Sequence, residues 1–528
     1  MSSERPDDPL GQNRAMTASG TVEGTLDPVG RVRSFKGIPF AAPPLGDLRW
    51  RPPQPAPRWE DIRPATAFGP RAMQLALFGD MNFRSDGMSE DCLYLNVWTP
   101  AESSRERRPV LLYFYGGGNQ AGDGSEPRYD GASLAARGIV ALTANYRLNV
   151  FGFLAHPELS AESPAGASGN YGHLDQAAAI RWVRENIAAF GGDPDRITIA
   201  GESAGSMGVS AQMASPLARD LLAGAIGSSG ALMGALRAAP LAAAEHMGLE
   251  YAASLGASSL AELRAMPAER LLAACAPRPG LEFKSVVDGY FLPRPPEEIY
   301  AAGEQARVPL LCGWNSEEMS YKTLLEDSEP TPENFAAALR PICREWTEAA
   351  LALYPAATVD QTIAAATEFT SDFVIAHNTW KWCELHGRTG GAPVFRYLYA
   401  HPRPPMRPEM GDAVAGFAGG VITGPEAAAQ RTPPPRGAVH SAEIEYAMGN
   451  LATNHVYAWT GEDERVSALM QAYYVNFITA GDPNRPGAPE WPPANQGETV
   501  RVMTLGPNPR AEPERGRERL LLIDHFAE

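Results

Sequence analysis

The segment "RITIAGESAG" (196–205) constrains the fold more than any other stretch of this chain. Its apolar run predicts a strand, and the G-x-S-x-G pattern that follows is typical of a sharp turn from a strand into a helix. Glycines flank the serine because the backbone of such a turn is strained and its neighbours lie close together. The turn raises the Ser203 hydroxyl above the sheet, and the N–H of Ala204 points into the same space from the start of a helix. We therefore interpret Ser203 as a nucleophile rather than as an ordinary helix N-cap serine.

Short apolar runs bounded by Gly, Pro and Asn recur along the chain and predict buried strands of a parallel sheet. The runs are 110–115, 138–146, 196–200, 308–315 and 393–400. Between them, "DQAAAIRWVRENIAAF" (175–190) places its apolar residues on one helical face, with Asp175 as the predicted N-cap. This alternation of strands and helices is typical of an α/β fold.

The domain organisation follows from where the pattern begins and where it is interrupted. Residues 1–16 are polar and charged and are expected to form a disordered lead, and a single domain is expected over 17–528 because no linker interrupts it. Two long stretches, 66–89 and 402–439, carry few strand or helix signals. Loops of that length are usually functional or disordered, and for 402–439 both a functional lid and a flexible surface loop remain open.

Charge and composition exclude several classes of protein. The formal net charge of −17 argues against a nucleic-acid partner, since no basic patch dominates. No apolar signal-peptide core is present at the N-terminus, and no apolar run of about 18 residues occurs, so no membrane span is expected. Five cysteines without a CxxC pair favour reduced thiols and a cytoplasmic location. No HExxH, CxxC or EF-hand pattern occurs, so neither a metal nor an organic cofactor is predicted, and monomer and homodimer both remain open.

A second glycine-rich stretch, "YFYGGGNQAG" (113–122), ends the first apolar run. Gly116, Gly118 and Ala121 fit the G-x-G-x-x-G/A spacing of a dinucleotide loop. However, no lysine in the chain follows a glycine, as a Walker loop requires. The Gly and Pro residues of "DGSEPRYDG" (123–131) also prevent the helix that a Rossmann loop opens. The stretch fits better as a loop whose backbone N–H groups hold an oxyanion.

Several longer segments resemble the type-B carboxylesterases, the family of the cholinesterases and the bacterial para-nitrobenzyl-type esterases. The segments are "FKGIPFAAPPLGDLRW" (35–50), "EDCLYLNVWTP" (90–100), "NYRLNVFGFL" (145–154), "GNYGHLDQAAAIRWVRENIAAFGGDP" (169–194) and "FGGDPDRITIAGESAG" (190–205). The resemblance implies an α/β-hydrolase fold, with a large, mostly parallel sheet flanked by helices. It also implies a serine ester hydrolase that acts on small to medium organic esters through an acyl-enzyme.

The resemblance assigns the partners of the nucleophile. "GWNSEEM" (313–319) resembles the family's G-x-N-x-x-E-G segment and implies that Glu318 is the triad acid, and only the resemblance excludes Glu317. "GAVHSAEIEYAMGN" (437–450) resembles the family's histidine segment, with His440 as the base. The order Ser, acid, His along the chain is that of the α/β-hydrolases.

Further site residues follow from the same resemblance. Gly117 and Gly118, together with Ala204, are expected to donate N–H groups to the oxyanion. Glu202 is expected to stabilise the protonated base, and Ser229 to lie near the triad. For both of these residues a purely structural role is an equal alternative.

Departures from the family narrow the function. Asn82 stands where cholinesterases carry a choline-stacking Trp, which argues against a cholinesterase. Ala72 stands where the family has the disulfide partner of Cys92, so Cys92 is expected to be free. We expect the 402–439 loop to shape the mouth of the site and to select substrates. The alternatives are a non-catalytic binding protein on the same fold and a related hydrolase of amides, thioesters or carbamates.

Overall fold

The computed structural model describes residues 8–276, 281–425, 427 and 431–527, and an 11-stranded sheet is the largest element of this described chain. The strands are β1 (Arg14–Thr17), β2 (Gly20–Glu23), β3 (Thr25–Leu26), β4 (Arg33–Pro39), β5 (Arg63–Pro64), β6 (Arg71–Ala72), β7 (Met88–Ser89), β8 (Tyr94–Thr99), β9 (Arg108–Phe114), β10 (Val140–Ala144), β11 (Gly192–Glu202), β12 (Gly224–Ser228), β13 (Ala239–Pro240), β14 (Val286–Val287), β15 (Leu310–Asn315), β16 (Val394–Tyr399), β17 (Val414–Ala415), β18 (Val421–Ile422), β19 (Arg501–Leu505) and β20 (Arg510–Pro513). The helices are α1 (Ala132–Ala135), α2 (Asn149–Phe153), α3 (Pro157–Glu162), α4 (Tyr171–Asn186), α5 (Ala204–Ala214), α6 (Leu241–Ser254), α7 (Leu260–Ala265), α8 (Ala268–Ala273), α9 (Pro296–Ala301), α10 (Lys322–Leu325), α11 (Pro332–Cys343), α12 (Thr347–Leu353), α13 (Val359–Ser371), α14 (His377–Thr389), α15 (Ile444–Met448), α16 (Gly461–Ala480) and α17 (Arg517–Ile523). Among these described helices, none has the length and apolarity needed to cross a membrane.

The large sheet has a parallel centre and antiparallel edges. Its strand order is β20-β19-β16-β15-β12-β11-β9-β10-β8-β4-β3. Every neighbouring pair from β19 to β10 is parallel, whereas β20 pairs antiparallel at one edge and β8, β4 and β3 do so at the other. Every residue of β9 after Arg108 is buried, as expected of a central parallel strand that is covered on both faces.

The register of the central strands brings the predicted site to one edge of the sheet. Gly201 of β11 lies opposite Phe114 of β9, and Glu202 lies opposite Ser228 of β12. Ser228 in turn lies opposite Gly313 of β15. Because these strands are parallel, the segments that follow them all leave from the same carboxyl edge, where ligand sites of open α/β sheets form.

The five runs predicted as strands are confirmed, as is the helix predicted over 175–190, although its start was misplaced. The helix begins at Tyr171 and ends in a 3-10 turn at Ile187–Phe190. Asp175 is therefore not an N-cap. It is fully buried inside α4 and accepts two hydrogen bonds of 2.7 Å from the guanidinium of Arg147. An aspartate near the start of a helical pattern looks the same in sequence whether it caps the helix or pairs with a distant arginine.

The structure differs from the predicted disordered lead over part of its length. A 3-10 turn at Pro9–Gln12 leads into β1, and Leu10 is fully buried. Asp8 accepts hydrogen bonds of 2.7 and 3.0 Å from two serine hydroxyls in the loop between β8 and β9. The prediction of disorder is wrong for 8–16, because a polar composition hid a single apolar anchor. Residues 1–7 lie outside the described residues.

The expectation that all cysteines are reduced thiols is wrong for one pair. A disulfide joins Cys312 of β15 to Cys383 of α14, which are 71 residues apart in sequence. Spacing did not reveal this pair, because only the packing of α14 against the sheet brings the two thiols together. Cys92, Cys275 and Cys343 are buried and lie outside this disulfide, so the prediction that Cys92 has no disulfide partner is confirmed.

Both long loops contain short secondary structure. In the first loop, β6 and β7 pair in parallel. In the second, a 3-10 turn at Pro408–Met410 precedes an antiparallel hairpin of β17 and β18. Residues 426 and 428–430 of the second loop lie outside the described residues. The weak sequence signal of both loops reflects strands of only two residues each.

Candidate active site

Ser203 lies in the turn between β11 and α5 and has the strained backbone of a nucleophile elbow. Its φ of 56° and ψ of −124° are unfavourable for an L-residue. Packing explains the flanking glycines, since a Cβ on Gly201 would lie 2.9 Å from the carbonyl oxygen of Phe114, and one on Gly205 would meet the same oxygen. Ala204, a predicted oxyanion donor, is the first residue of α5. The turn therefore holds the predicted nucleophile at the carboxyl edge of the sheet, beside the end of β9.

The glycine run after β9 packs directly against this turn. A Cβ on Gly116 would lie 2.7 Å from the backbone oxygen of Glu202 and 3.0 Å from the Cβ of Ser203. Gly117 and Gly118 have positive φ values of 116° and 64°, which favour glycine. Apart from Gly118 and its two chain neighbours, no atom of the described residues lies within 4 Å of the position that a Cβ on Gly118 would occupy. The loop thus packs tightly on the elbow at its start and opens onto free space at its third glycine, as backbone donors to an oxyanion require.

A hydrogen bond joins the predicted base to the predicted acid. The Nδ1 of His440 lies 2.6 Å from the Oε2 of Glu318. Glu318 is fully buried, and its other oxygen accepts the backbone N–H of Asn315 at 2.6 Å. The neighbouring Glu317 instead accepts the backbone N–H of Arg436 at 3.0 Å. The fold thus brings Glu318 to the imidazole and directs Glu317 to a different partner.

The second nitrogen of the imidazole faces the carboxylate of Glu202 rather than the predicted nucleophile, Ser203. Nε2 of His440 lies 3.2 Å from Oε1 of Glu202, close enough for an ion pair but not aligned as a hydrogen bond. Within the described residues, no hydrogen bond joins His440 to Ser203. Catalytic hydrogen bonds of this kind often close only when substrate is bound.

The charges around His440 favour its protonated form. Burial disfavours the imidazolium, but the carboxylates of Glu202 and Glu318 outweigh that cost and raise the pKa of His440 to about 9. Burial also disfavours the charged form of Glu202 and therefore raises its pKa, although His440 and Arg128 act in the opposite direction. The site is therefore built to stabilise a positive charge on the imidazole, the charge that forms when a base accepts a proton.

Two residues without a role assigned from sequence complete this cluster. The side-chain amide of Asn315 donates to Oε2 of Glu443 at 2.6 Å and to the carbonyl oxygen of Val439 at 2.8 Å. Asn315 therefore ties the strand before Glu318 to the segment that carries His440. Burial, reinforced by the charges of Glu202 and Glu318, raises the pKa of Glu443 and so favours the protonated form of this carboxyl. In the sequence, Asn315 could have been recognised as the asparagine of the G-x-N-x-x-E-G pattern. For Glu443, the only sequence signal was its position shortly after His440.

Ser229 lies directly after β12 and is fully buried, with a positive φ of 55°. Its backbone N–H donates to the carbonyl of Gly313 at 2.8 Å, while the carbonyl of Ser228 accepts the N–H of Ser203 at 2.9 Å. The Ser229 hydroxyl has no hydrogen-bond partner among the described residues. These contacts favour the structural alternative for Ser229, because its backbone links the elbow to the strand that leads to the acid.

Comparison with known proteins places this site in a family. The sequence profile of the carboxylesterase family matches residues 11–520. A fumonisin B1 esterase from Sphingopyxis macrogoltabida is 34% identical over 93% of this chain and 86% of the relative. The para-nitrobenzyl esterase of Bacillus subtilis strain 168 is also 34% identical, over 93% of this chain and 94% of the relative.

Solved structures agree with the sequence relatives. A PNB esterase structure aligns with a TM-score of 0.77 at 32% identity, covering 97% of this chain and 99% of that chain. A carboxylesterase from Geobacillus stearothermophilus aligns with a TM-score of 0.77 at 31% identity, covering 96% and 99%. The α/β-hydrolase fold implied by the resemblance is thereby confirmed. The chain belongs to the carboxylesterase family and is an ester-hydrolysing enzyme.

Proposed function

We propose that this enzyme cleaves carboxylic esters with a triad of Ser203, His440 and Glu318 through an acyl-enzyme intermediate. The observation that carries the proposal is the 2.6 Å hydrogen bond between His440 and the buried Glu318. It lies at the same sheet edge as the strained turn that carries Ser203. A carboxylate in this position holds the imidazole in one tautomer and stabilises the imidazolium without itself becoming protonated.

Acylation begins when neutral His440 takes the proton of Ser203. The serine oxygen attacks the ester carbonyl, and the resulting oxyanion is held by the N–H groups of Gly117, Gly118 and Ala204. His440 then gives its proton to the oxygen of the leaving alcohol, and the bond from the carbonyl carbon to that oxygen breaks.

Deacylation repeats the same steps with water as the nucleophile. His440 takes a proton from water, the hydroxide adds to the acyl-enzyme, and Ser203 leaves with the proton that the imidazole returns. The imidazolium forms in both halves of the reaction. Glu202, 3.2 Å from Nε2, supplies a negative charge that stabilises it each time.

Substitution of the nucleophile tests this assignment. Ser203→Ala is expected to abolish p-nitrophenyl acetate turnover and covalent labelling by an organophosphate, while circular dichroism shows an intact fold. Ser258→Ala, at an exposed serine outside the site, is the matched control and should retain full turnover. Undiminished turnover by Ser203→Ala would overturn the triad, and a parent enzyme that takes no label would argue against an acyl-enzyme.

The proposed substrates are small to medium organic esters. Relatives carry names that refer to different esters, including fumonisin B1, cocaine and para-nitrobenzyl esters, so no single substrate transfers to this chain. Residue variation around a shared triad sets the acyl and alcohol preferences of such enzymes. A hydrolysis screen that varies the acyl and the alcohol group separately identifies the preferred class.

The domain organisation, the cellular location and the oligomeric state of the enzyme also remain predictions. A single catalytic domain over 17–528 is consistent with the family match, which extends through most of that range. The prediction of a cytoplasmic location rests in part on reduced cysteines, and the Cys312–Cys383 disulfide removes that support. Size-exclusion chromatography coupled to light scattering decides between monomer and homodimer.

A further inference from the structure

The loop that precedes His440 carries a hairpin whose turn reaches the catalytic base. Strands β17 and β18 pair from Val414 to Ile422 and enclose residues 416–420, which we call the flap tip. The flap tip contains Phe417, whose ring lies 6.2 Å from the His440 ring, centroid to centroid. The two planes meet at 80°, the edge-to-face geometry that aromatic rings favour.

Three polar groups hold the flap tip in place. The backbone N–H of Gly420 donates to the Asp80 carboxylate at 3.3 Å, within the first long loop. The side-chain amide of Asn454 donates to the Gly419 carbonyl at 2.9 Å. The hydroxyl of Ser441, the residue directly after the base, donates to the Phe417 carbonyl. Because separate parts of the chain anchor it, the flap tip has a defined position next to the imidazole.

Phe417 is held in this position but is only partly covered. The residue contacts the His440 ring and yet remains 44% exposed, although the backbone around it is anchored. The backbone anchors fix a large ring next to the imidazole without covering it, so the ring is accessible to a molecule that binds there. In a carboxylesterase, a ring beside the catalytic histidine is placed to meet the substrate.

The geometry of acyl transfer decides which half of the substrate meets this ring. The oxyanion must face the glycine loop, whereas the alcohol oxygen must lie within hydrogen-bond reach of the histidine that protonates it. The group attached to that oxygen therefore extends past the imidazole, on which Phe417 packs. We infer that Phe417 contacts the alcohol group of the ester and selects substrates whose alcohol carries an aromatic or bulky apolar group. This inference rests on the triad function proposed above.

The inference is tested with esters that differ in one half only. Benzyl acetate and ethyl acetate share an acyl group, and ethyl benzoate and ethyl acetate share an alcohol. Phe417→Ala should lower kcat/KM for benzyl acetate, relative to ethyl acetate, by about three- to tenfold, the value of one aromatic contact. The change should appear mainly in KM, and the ratio of ethyl benzoate to ethyl acetate should stay constant.

Two further variants separate substrate contact from a structural effect. Phe417→Tyr keeps the ring and should restore the preference for benzyl acetate. Tyr290→Ala removes another partly exposed aromatic, 39% exposed and not part of the flap tip, and should change neither ratio.

Each alternative outcome counts against the inference. Equal losses on benzyl and ethyl acetate by Phe417→Ala would assign Phe417 a structural role, and a change confined to ethyl benzoate would place the ring on the acyl side. Neither result would contradict the proposed triad, because that assignment is overturned only if Ser203→Ala remains active.

Discussion

At the residue scale, the charge pattern around His440 decides the pH dependence of the enzyme. His440 can act as the proposed base only when it is neutral, and its pKa is raised to about 9. Activity should therefore rise with pH through that value. Glu202 is the largest charged contributor to the raised pKa, and its carboxylate lies 3.2 Å from the imidazole.

Replacing this carboxylate with an amide should shift the pH profile. Glu202→Gln removes a negative charge beside the imidazolium, so the pKa of His440 falls and the acidic limb of the kcat/KM profile moves to lower pH. The alkaline plateau of kcat should fall by roughly tenfold, because an interaction of about 1 kcal/mol or more with the transition-state imidazolium is lost. Glu317→Gln, which removes a neighbouring carboxylate that pairs elsewhere, should leave the limb in place. An unmoved limb in Glu202→Gln would contradict the assigned role.

Asn315 is expected to act by positioning the acid and the base. Its side-chain amide donates hydrogen bonds to the carbonyl oxygen of Val439 and the carboxylate of Glu443. Its backbone N–H donates to the carboxylate of Glu318. Asn315→Ala keeps the backbone bond but releases the histidine segment, so kcat should fall by about 10- to 100-fold with little change in KM. The kcat and KM of the variant are measured together with its thermal unfolding, so that loss of activity can be separated from loss of the fold. A folded variant with unchanged kcat would show that the Asn315 amide does not position the acid and the base.

Gly118 offers a test of the oxyanion hole that separates strain from catalysis. Its φ of 64° penalises alanine, and Gly30 has a similar φ of 72° and, like Gly118, open space around the missing side chain. Gly118→Ala keeps the backbone N–H but places a methyl group in the open space beside it, where the acyl oxygen must bind if this N–H holds the oxyanion. In that case kcat should fall by about 100- to 1,000-fold, the value of one oxyanion interaction. Gly30→Ala should show a comparable change in unfolding temperature and normal kcat. Equal activity in the two variants would remove Gly118 from the proposed site.

At the scale of elements, the two long loops meet over the site. The flap tip of the second loop is bonded to Asp80 of the first. Replacing residues 415–433 with a short glycine linker removes the flap tip and its contacts with Asp80, Asn454 and Ser441. We expect a changed ratio of activities on short and bulky esters. The same profile before and after deletion would refute the selective role of the loop.

Elements with a strong local signal were predictable, and their ends were not. The run that became β9 is apolar because both of its faces are covered, and this leaves a continuous signature in sequence. The start of α4 was misplaced because Asp175 serves a buried Arg147 rather than the helix terminus. Strands as short as β17 and β18 carry no periodicity of their own, so only their pairing reveals them.

At the scale of the whole molecule, the disulfide is a covalent link between the central sheet and the helical layer. It connects β15, the strand that leads to the acid, with α14, across 71 residues of chain. Replacing Cys312 and Cys383 together with alanine should lower the free energy of unfolding by about 2–4 kcal/mol, because the unfolded chain regains the freedom that the link removed. Urea unfolding measures the loss.

A reducing agent supplies the control for this prediction. The parent should fall to the stability of the double variant when it is reduced, whereas the double variant should not respond. Equal stability of the parent with and without reductant would show that the bond contributes nothing or does not form in solution.

The α/β class, the central strands and the elbow at Ser203 could be predicted from the amino-acid sequence, because each depends on residues that are neighbours along the chain. Resemblance to a family added Glu318 and His440, which no local pattern pairs. The 2.6 Å contact between these two residues and the bond from Cys312 to Cys383 become visible only in the folded chain. The same is true of the loop with little sequence signal that places an aromatic ring against the proposed base. These contacts join residues far apart in the chain, and packing of the sheet, helices and loops, rather than local preference, creates them.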